Sequence, residues 1–352
     1  MKILIKGANW IGDAVMSIPA LRRTRMAFPD ASIALHTRRW AEGVFRDAGI
    51  FDEIISYDPS GSKMRTVIEQ AKVLRRHSFD AAVLLPNSFE SAMTVGLAGI
   101  PRRFGYRTDG RRILLTDSLP VPEWKSVRHE SEFYSNLADL FIKSMGGEAG
   151  SAPTETSLTV SLERKSGAIN RLASFGMGYG FPVVAIGAGS TNSMAKRWPA
   201  EYFAKLCENL SSSFDAEIVL LGAANEADVG AELLKLTDAK LLDLIGKTDL
   251  SEATATLAIV DLFVSNDMGL AHIAASLGTP TLTIFGPTNE TATAPLGPNA
   301  RFVREVVECS PCMLRECPID HRCMTRLTPE RVFEVASEML NPRIAQNDRD
   351  QS

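Results

Sequence analysis

The fold is decided by residues 2–25, which read KILIKGANWIGDAVMSIPALRRTR. Residues 2–5 predict a strand, and the following glycine-bounded turn leads into a helix predicted over residues 13–25. A strand, a tight turn and a helix in this order form the repeating unit of sheets whose strands run parallel. The opening stretch therefore predicts an α/β protein if the same pattern recurs.

The pattern does recur along most of the chain. It weakens between residues 146 and 180, where small, polar and glycine residues dominate, and then restarts. We therefore predict two doubly wound domains, 1–165 and 166–327. A final helix is predicted over residues 328–345, and it could pack on the second domain or return to pack on the first. Further strands are predicted at 32–36, 81–85, 183–187, 217–221, 262–265 and 281–285, and another helix at 91–96.

Composition limits the class of protein. The 352 residues are 45% hydrophobic, and no stretch reaches the roughly 18–20 apolar residues of a membrane helix. With no export signal at the amino terminus, we expect a cytoplasmic protein with reduced thiols. Residues 1–128 hold 20 Lys and Arg against 13 Asp and Glu, whereas the remainder holds 18 against 29. The basic front half favours an anionic partner, although an ordinary solvated surface fits equally well.

The first motif is the turn from Gly7 to Gly12 and Asp13. It has the spacing of a phosphate-binding loop, but Asp13 and Ala14 stand where Lys and Ser or Thr are needed. A carboxylate there repels phosphate. Asp13 is therefore either a simple partner of the helix dipole or a functional acid or base.

The second motif follows the strand predicted at 183–187. Ser190 and Thr191 can donate to a diphosphate, and Lys196 can supply the counter-charge; a plain glycine-rich turn with a surface lysine is the alternative. Thr248 ends the short sequence Gly-Lys-Thr, which is only a fragment of a phosphate loop.

The third motif, residues 265–272, reads SNDMGLAH. A strand ends, a turn holds Asp267 and Gly269, and a helix is predicted to begin near Leu270. The start of a helix attracts anions, and Asp267 and His272 lie close enough along it to face one ligand. An Asp helix cap with a buried histidine is the alternative.

Four cysteines are concentrated in one segment that is rich in proline. Their spacing is irregular for zinc modules, so reduced, partly buried thiols compete with a metal site, and we expect no metal. The four are Cys309, Cys312, Cys317 and Cys323.

These motifs together resemble the ADP-heptose:lipopolysaccharide heptosyltransferase family over nearly the whole chain. The resemblance also rests on residues 17–21 (SIPAL), 85–89 (LPNSF), 98–101 (AGIP), 196–199 (KRWP) and 285–288 (FGPT). The cysteine-rich segment 309–323 is typical of the type II enzymes of that family.

The resemblance implies a GT-B architecture, two Rossmann-like domains that face each other across a cleft. It implies transfer of L-glycero-D-manno-heptose from ADP-heptose, with inversion, to the first heptose of an anionic heptosyl-Kdo2-lipid A acceptor. Asp13 would be the catalytic base. The donor would be bound by Ser190, Thr191, Lys196, Thr248, Asp267, Gly269, Leu270 and His272. We expect no cofactor and no nucleic-acid partner, but peripheral contact with the cytoplasmic face of the inner membrane.

Two features depart from the family pattern. The acidic residue that type I enzymes place near Ala224 is absent, with Asn225 or Glu226 as substitutes, and Met268 replaces a threonine. A type I or other heptosyltransferase of the family, a GT-B sugar-nucleotide epimerase and a nonenzymatic nucleotide-binding module remain alternatives. The candidate cations for the acceptor are Lys63, Arg65, Arg102, Arg103, Arg107, Arg111 and Arg112.

Overall fold

The computed structural model describes residues 1–148, 150, 154–178 and 180–350. The chain divides into two compact units, Met1–Thr156 and Ser157–Ser352. The division comes before the expected boundary at residue 165, which lies inside a helix, Leu162–Ser174, of the second unit.

The first unit is built on one parallel sheet of six strands in the order β3-β2-β1-β4-β5-β6. The central strands are buried along most of their length, which requires helices on both faces. This arrangement confirms the predicted α/β class. The strands are β1 (Lys2–Lys6), β2 (Ser32–Arg38), β3 (Glu53–Tyr57), β4 (Ala81–Leu84), β5 (Arg102–Tyr106) and β6 (Asp117–Leu119).

Six α-helices connect and cover these strands, and a 3-10 helix, Arg111–Leu114, follows β5. α2 packs on α6, and α4 packs on α5. The helices are α1 (Ile11–Met16), α2 (Ile18–Ala27), α3 (Arg39–Phe45), α4 (Lys63–Arg75), α5 (Phe89–Leu97) and α6 (Glu130–Ser144).

The single helix predicted over residues 13–25 is wrong, because the structure has two helices that separate at Ser17. Pro19 lies in the first turn of α2, and it lacks a backbone N–H and crowds the carbonyl four residues earlier. The Ser17 hydroxyl donates to the Ala14 carbonyl at 2.7 Å, which satisfies one acceptor at the end of α1.

The second unit repeats the design with a parallel sheet in the order β12-β11-β10-β7-β8-β9. Its strands are β7 (Val183–Gly187), β8 (Glu217–Leu220), β9 (Leu241–Asp243), β10 (Leu262–Asn266), β11 (Thr281–Phe285) and β12 (Ala300–Arg304). Its helices are α7 (Leu162–Ser174), α8 (Ala200–Phe214), α9 (Ala227–Leu236), α10 (Leu250–Leu257), α11 (Gly269–Ser276), α12 (Glu290–Thr293), α13 (Arg322–Thr325) and α14 (Pro329–Asp350).

The final helix, α14, packs within the second unit. It lies against α8, and Val332, Ala336 and Leu340 are fully buried in the same core as Trp198 and Phe203.

Each sheet has a switch point, where the chain leaves a central strand in one direction and later returns on the other side. In the first unit it lies between β1 and β4, and in the second between β7 and β10. Ligands of doubly wound folds bind beyond the carboxyl ends of the strands at such points. Within the described part of the chain, no helix is long and apolar enough to cross a membrane.

Candidate active site

Asp13 lies in the first turn of α1, just beyond the carboxyl end of β1. It is not the helix cap, because the N-cap position is Trp10 and no side chain caps this helix. Its carboxylate instead accepts a hydrogen bond from Tyr134 of α6, with 2.9 Å between Tyr134 Oη and Asp13 Oδ1. The side chain is therefore oriented by a second helix, as a positioned acid or base requires.

The surroundings of Tyr134 favour the protonated form of its phenol. It is buried, and burial together with the adjacent Asp13 carboxylate raises the pKa of Tyr134 well above its usual value. A phenol that keeps its proton can only donate to Asp13. Tyr134 was missed at the sequence level, since its place 121 residues away from Asp13 along the chain is set by the packing of α1 on α6.

In the second unit, the glycine-rich turn after β7 is shaped by a buried acid. Glu226 is 1% exposed, and it accepts from Thr191 Oγ1 at 3.2 Å and from the Ala223 amide at 2.9 Å. A side-chain carbon at Gly189 would lie only 2.7 Å from Glu226 Oε2, so a larger residue here would have to displace the Glu226 carboxylate. Glu226 therefore supports the turn from beneath, and Ser190 in the same turn is also buried.

Lys196 and Asp267 form the central ion pair of this unit. Lys196 Nζ lies 2.7 Å from Asp267 Oδ2, and the same oxygen accepts from Thr288 Oγ1 at 2.8 Å. The Lys196 side chain is 26% exposed, whereas that of Asp267 is 7% exposed. Asp267 thus holds the ammonium in place and leaves part of it open to a ligand. Thr288, which follows β11, was not predicted as a site residue.

Asn266 joins two of the predicted turns. Its side-chain amide donates to the carbonyls of Ala188 and Gly189 at 2.6 and 3.2 Å, and its Oδ1 accepts from the Trp198 amide at 3.0 Å. The fully buried Asn266 therefore connects the turn after β7 to the segment that carries Lys196. The sequence singled out its neighbour Asp267 instead, because a carboxylate is the more usual sign of a site.

The predicted helix start near Leu270 is confirmed, since α11 begins at Gly269. Leu270 is 6% exposed and His272 is 5% exposed, so the first turn of this helix is mostly enclosed. The first amides of a helix have no partners within it and attract anions. Thr248 lies in the turn after β9, and its hydroxyl oxygen is buried without a hydrogen-bond partner in the structure.

The described donor-site candidates of the second unit share one edge of the sheet. Ser190 and Thr191 follow β7, Thr248 follows β9, and Asp267 follows β10. Parallel strands end at the same edge, so the turns collect there. The arrangement combines hydroxyls, one ammonium and a helix start, which suits a diphosphate. Asp13 belongs to the other unit.

Two of the arginines considered for an anionic partner are committed to the fold. Arg111 is fully buried, and it donates to the carbonyls of Pro86 and Tyr106. Arg103 donates to the Leu114 and Ile100 carbonyls. Arg111 is therefore withdrawn as an acceptor contact, because its guanidinium is enclosed and its three nitrogens all donate within the fold.

The other arginines considered as contacts for an anionic partner differ in their exposure and in their ion pairs. Arg102 contacts Asp117, Arg65 pairs with Glu69, and Arg107 and Arg112 are exposed.

The cysteine-rich segment holds thiols and no disulfide. Cys309 and Cys312 are exposed, Cys317 is partly exposed, and Cys323 is buried. Burial raises the pKa of Cys323 to about 11, with a further contribution from the three neighbouring thiols. Among the described residues, no group of three or more His, Cys, Asp or Glu side chains is placed to hold a metal ion.

Comparison with known proteins identifies relatives over almost the full length. Residues 67–322 match the family model described as glycosyltransferase family 9 (heptosyltransferase). The chain is 30% identical to lipopolysaccharide heptosyltransferase 2 of Escherichia coli K12, covering 97% of this chain and 99% of the relative.

Solved structures agree with the sequence relatives. The structure of Escherichia coli ADP-heptose lps heptosyltransferase II superposes with a TM-score of 0.81 at 28% identity, covering 99% of this chain and all of that one. Escherichia coli heptosyltransferase WaaC with ADP shares the fold, with a TM-score of 0.70 at 18% identity over 96% of this chain and all of that one. The likeness confirms the GT-B class predicted from the sequence. Since the family model spans more than half of the chain, and a 30% identical relative matches nearly all of it, the chain belongs to glycosyltransferase family 9, the heptosyltransferases.

Proposed function

We propose that this glycosyltransferase moves L-glycero-D-manno-heptose from ADP-heptose to the first heptose of heptosyl-Kdo2-lipid A, with inversion at the anomeric carbon. The observation that carries the proposal is the edge of the second sheet, where Lys196, the Ser190 turn and the start of α11 are collected beside the switch point. The full-length likeness to a lipopolysaccharide heptosyltransferase 2 supports the choice of sugar and acceptor.

The second unit binds the donor in this proposal. The diphosphate accepts from the Lys196 ammonium, from the Ser190 hydroxyl and from the first amides of α11, at Gly269 and Leu270. The Thr191 hydroxyl donates to the diphosphate in place of its bond to Glu226. A protein of the same fold, heptosyltransferase WaaC, was solved with ADP, which supports a nucleoside diphosphate as part of the donor. Thr248 and His272 complete the donor set, and the unpartnered Thr248 hydroxyl is a donor and acceptor ready for a ligand.

Asp267 acts as a positioning residue rather than a direct phosphate ligand. Its carboxylate would repel a diphosphate, but its contacts with Lys196 and Thr288 neutralise and enclose it. The ammonium donates to the Asp267 carboxylate and, at 3.5 Å, to the Asp267 backbone carbonyl, so it keeps one of its three N–H groups for the donor.

Asp13 is the catalytic base. Its carboxylate takes the proton of the acceptor hydroxyl as that oxygen bonds to the anomeric carbon, and the bond from this carbon to the diphosphate oxygen breaks on the opposite face. The electron pair leaves with ADP, whose new charge is stabilised by Lys196 and the start of α11. Tyr134 orients Asp13 throughout.

The acceptor is an anionic lipid, so the enzyme would work at the cytoplasmic face of the inner membrane as a peripheral protein. The exposed cations Lys63, Arg107 and Arg112 of the first unit support contact with its charged head group. Attraction of this kind weakens as salt increases.

A transfer assay with two acceptors tests the proposal. Purified enzyme is given ADP-heptose with either Kdo2-lipid A or its monoheptosylated form, and the product is identified by mass and anomeric configuration. The proposal expects one added heptose on the monoheptosylated acceptor only. Transfer to Kdo2-lipid A alone would assign a type I activity, and conversion of the sugar nucleotide without any acceptor would assign an epimerase.

A further inference from the structure

A cavity lies in the first unit, and none of the proposed donor residues is among those that line it. It has a volume of about 300 Å³ and opens at the carboxyl ends of β1, β2 and β3. Small-molecule sites start near this size, so it suits one sugar-sized group rather than a whole lipid head group. Its lining includes Lys6, Asn9, Arg38, Tyr57, Lys63 and Gln70.

Lys6 is the unusual member of this lining. Its side chain is 3% exposed, yet its ammonium contacts only neutral groups: Gln70 Oε1 at 2.8 Å, His36 Nδ1 at 3.0 Å and the face of the Tyr57 ring at 4.2 Å. No carboxylate lies within ion-pair distance of it among the described residues. Buried charges are normally paired, so an unpaired lysine beside a cavity calls for an anion.

His36 is neutral here, which fits its role as the acceptor for Lys6. Burial, followed by the charge of Lys6, lowers the pKa of His36 well below its usual value. Burial and the nearby Arg38 guanidinium likewise lower the pKa of Lys6. An anion in the cavity would oppose the effect of the Arg38 charge on Lys6, because it would favour the ammonium form.

A second cation faces the same space. The Arg38 guanidinium lies 5.2 Å from the centre of the Tyr57 ring, so Lys6 and Arg38 lie against the same aromatic side chain. Arg38 ends β2 and is only partly buried, and it forms no ion pair among the residues described. Two cations held together without an acid between them repel each other, and a bound anion would relieve this repulsion while both groups stay charged.

Two other lining residues can supply hydrogen-bond donors. Ser88 carries a hydroxyl and Asn9 an amide, whereas the Thr94 hydroxyl already donates to the Glu90 carbonyl at 2.9 Å. Glu90 is the one carboxylate among the described lining residues, and Lys63 lies 3.3 Å from it. The balance of the cavity is therefore positive.

We propose that the Lys6–Arg38 cavity binds a single oxyanion, a carboxylate or a phosphate, carried on a sugar. Assigning that sugar to the acceptor rests on the proposed transfer reaction. The position supports the assignment, because Asn9 lines the cavity from the loop that joins Lys6 at the end of β1 to Asp13 in α1. A group held there is anchored beside the proposed base.

Direct binding tests the site without any turnover. Calorimetry measures a soluble Kdo disaccharide, its methyl ester and inorganic phosphate against the wild type, Lys6→Met and Arg38→Gln. Lys2→Met is the matched control, since Lys2 lies exposed at the opposite end of the same strand. Loss of one charge-assisted contact predicts about 10- to 150-fold weaker disaccharide binding in each cavity variant and no change in Lys2→Met.

The chemical source of the oxyanion is read from the same titrations. Weaker binding of the methyl ester than of the disaccharide assigns the site to a sugar carboxylate. Displacement of the disaccharide by inorganic phosphate at concentrations below that of the disaccharide assigns it to a phosphate. Either result supports the site if it depends on Lys6. Because Arg38 is only partly buried, Arg38→Gln keeps the test valid if Lys6→Met does not fold.

Wild-type disaccharide affinity in a folded Lys6→Met or in Arg38→Gln would overturn the inference. Heptose transfer with an unchanged KM for the acceptor in both variants would also overturn the inference, while leaving the proposed function intact. Conversely, Lys6-dependent binding by an enzyme that transfers no heptose would sink the proposed function and leave the oxyanion site standing.

Discussion

Asp13→Asn separates chemistry from folding and from donor binding. The amide has the shape of the carboxylate, and its oxygen can still accept from Tyr134 Oη in place of the 2.9 Å bond seen here. Only the ability to take a proton is removed. A positioned general base contributes about 10²- to 10⁴-fold, so kcat is expected to fall by that factor, or about 2.7–5.5 kcal/mol in the barrier.

The cost to stability is smaller and is also set by local contacts. The hydrogen bond from Tyr134 loses its charged acceptor, at about 1 kcal/mol, and the first turn of α1 loses an acid, at about 0.3–1 kcal/mol. Typical stabilities of about 5–15 kcal/mol leave such a variant folded. ADP affinity should not change, because Asp13 lies in the first unit and the donor residues lie in the second.

The assay follows heptose transfer to the monoheptosylated acceptor at saturating substrate, with ADP binding and thermal unfolding measured on the same preparations. Tyr134→Phe is the matched comparison: it removes the orienting hydroxyl but keeps the carboxylate, so its loss of kcat should stay within about tenfold. A folded Asp13→Asn enzyme with near wild-type kcat would refute the assignment of the base.

Three further predictions concern the second unit. Lys196→Met should weaken ADP binding about 10- to 150-fold in calorimetry, because it removes a charge-assisted donor of about 1.5–3 kcal/mol. Gly189→Ala should lower the free energy of unfolding by about 1–3 kcal/mol in a denaturant titration, since the added methyl group overlaps the Glu226 carboxylate. Burial raises the pKa of Cys207 to about 12 and that of Cys323 to about 11, so at pH 8 both remain thiols and should react with a disulfide reagent only after unfolding.

Each of these has an internal control. Lys205→Met removes an exposed lysine of α8 and should leave ADP binding unchanged. Gly167→Ala adds a methyl group to α7 where no atom lies within 4 Å, and should stabilise the helix by up to about 1 kcal/mol. The exposed Cys309 and Cys312 should label rapidly in the native protein. Equal effects in a variant and its control, or rapid native labelling of Cys207, would contradict the structure.

The strands that the sequence identified are those whose side chains are buried on both faces. β1, β4, β7, β10 and β11 form nearly continuous apolar runs at the centres of the sheets, so their composition alone marks them. Five strands were not predicted: β3, β5, β6, β9 and β12. All of them except β5 lie at the edges of the two sheets, and β6 and β9 have only three residues each. An edge strand is held by its one neighbour rather than by its own apolar pattern, and that neighbour is absent from local sequence.

The candidate site also has some features that the sequence predicts and others that it does not. The sequence by itself predicted which turns carry chemistry, because glycine, hydroxyl and charged residues follow strands at Gly187, Asn266 and Lys6 in a way that a plain core does not require. Resemblance to a family added the proposed role of Asp13. Neither could pair Tyr134 with Asp13 or place Thr288 beside Lys196, since these partners are far apart along the chain.

The tertiary structure alone decided which polar groups are satisfied. Arg111 and Arg107 look alike as sequence, yet one is enclosed by carbonyls and the other is exposed to solvent. Lys6 looks like the end of an ordinary strand until folding buries it beside Arg38 without an acid. The sequence determines which side chains are charged. Whether a charge is paired depends on which distant residues lie within about 4 Å of it, and only the packing of the helices on the sheets sets that distance.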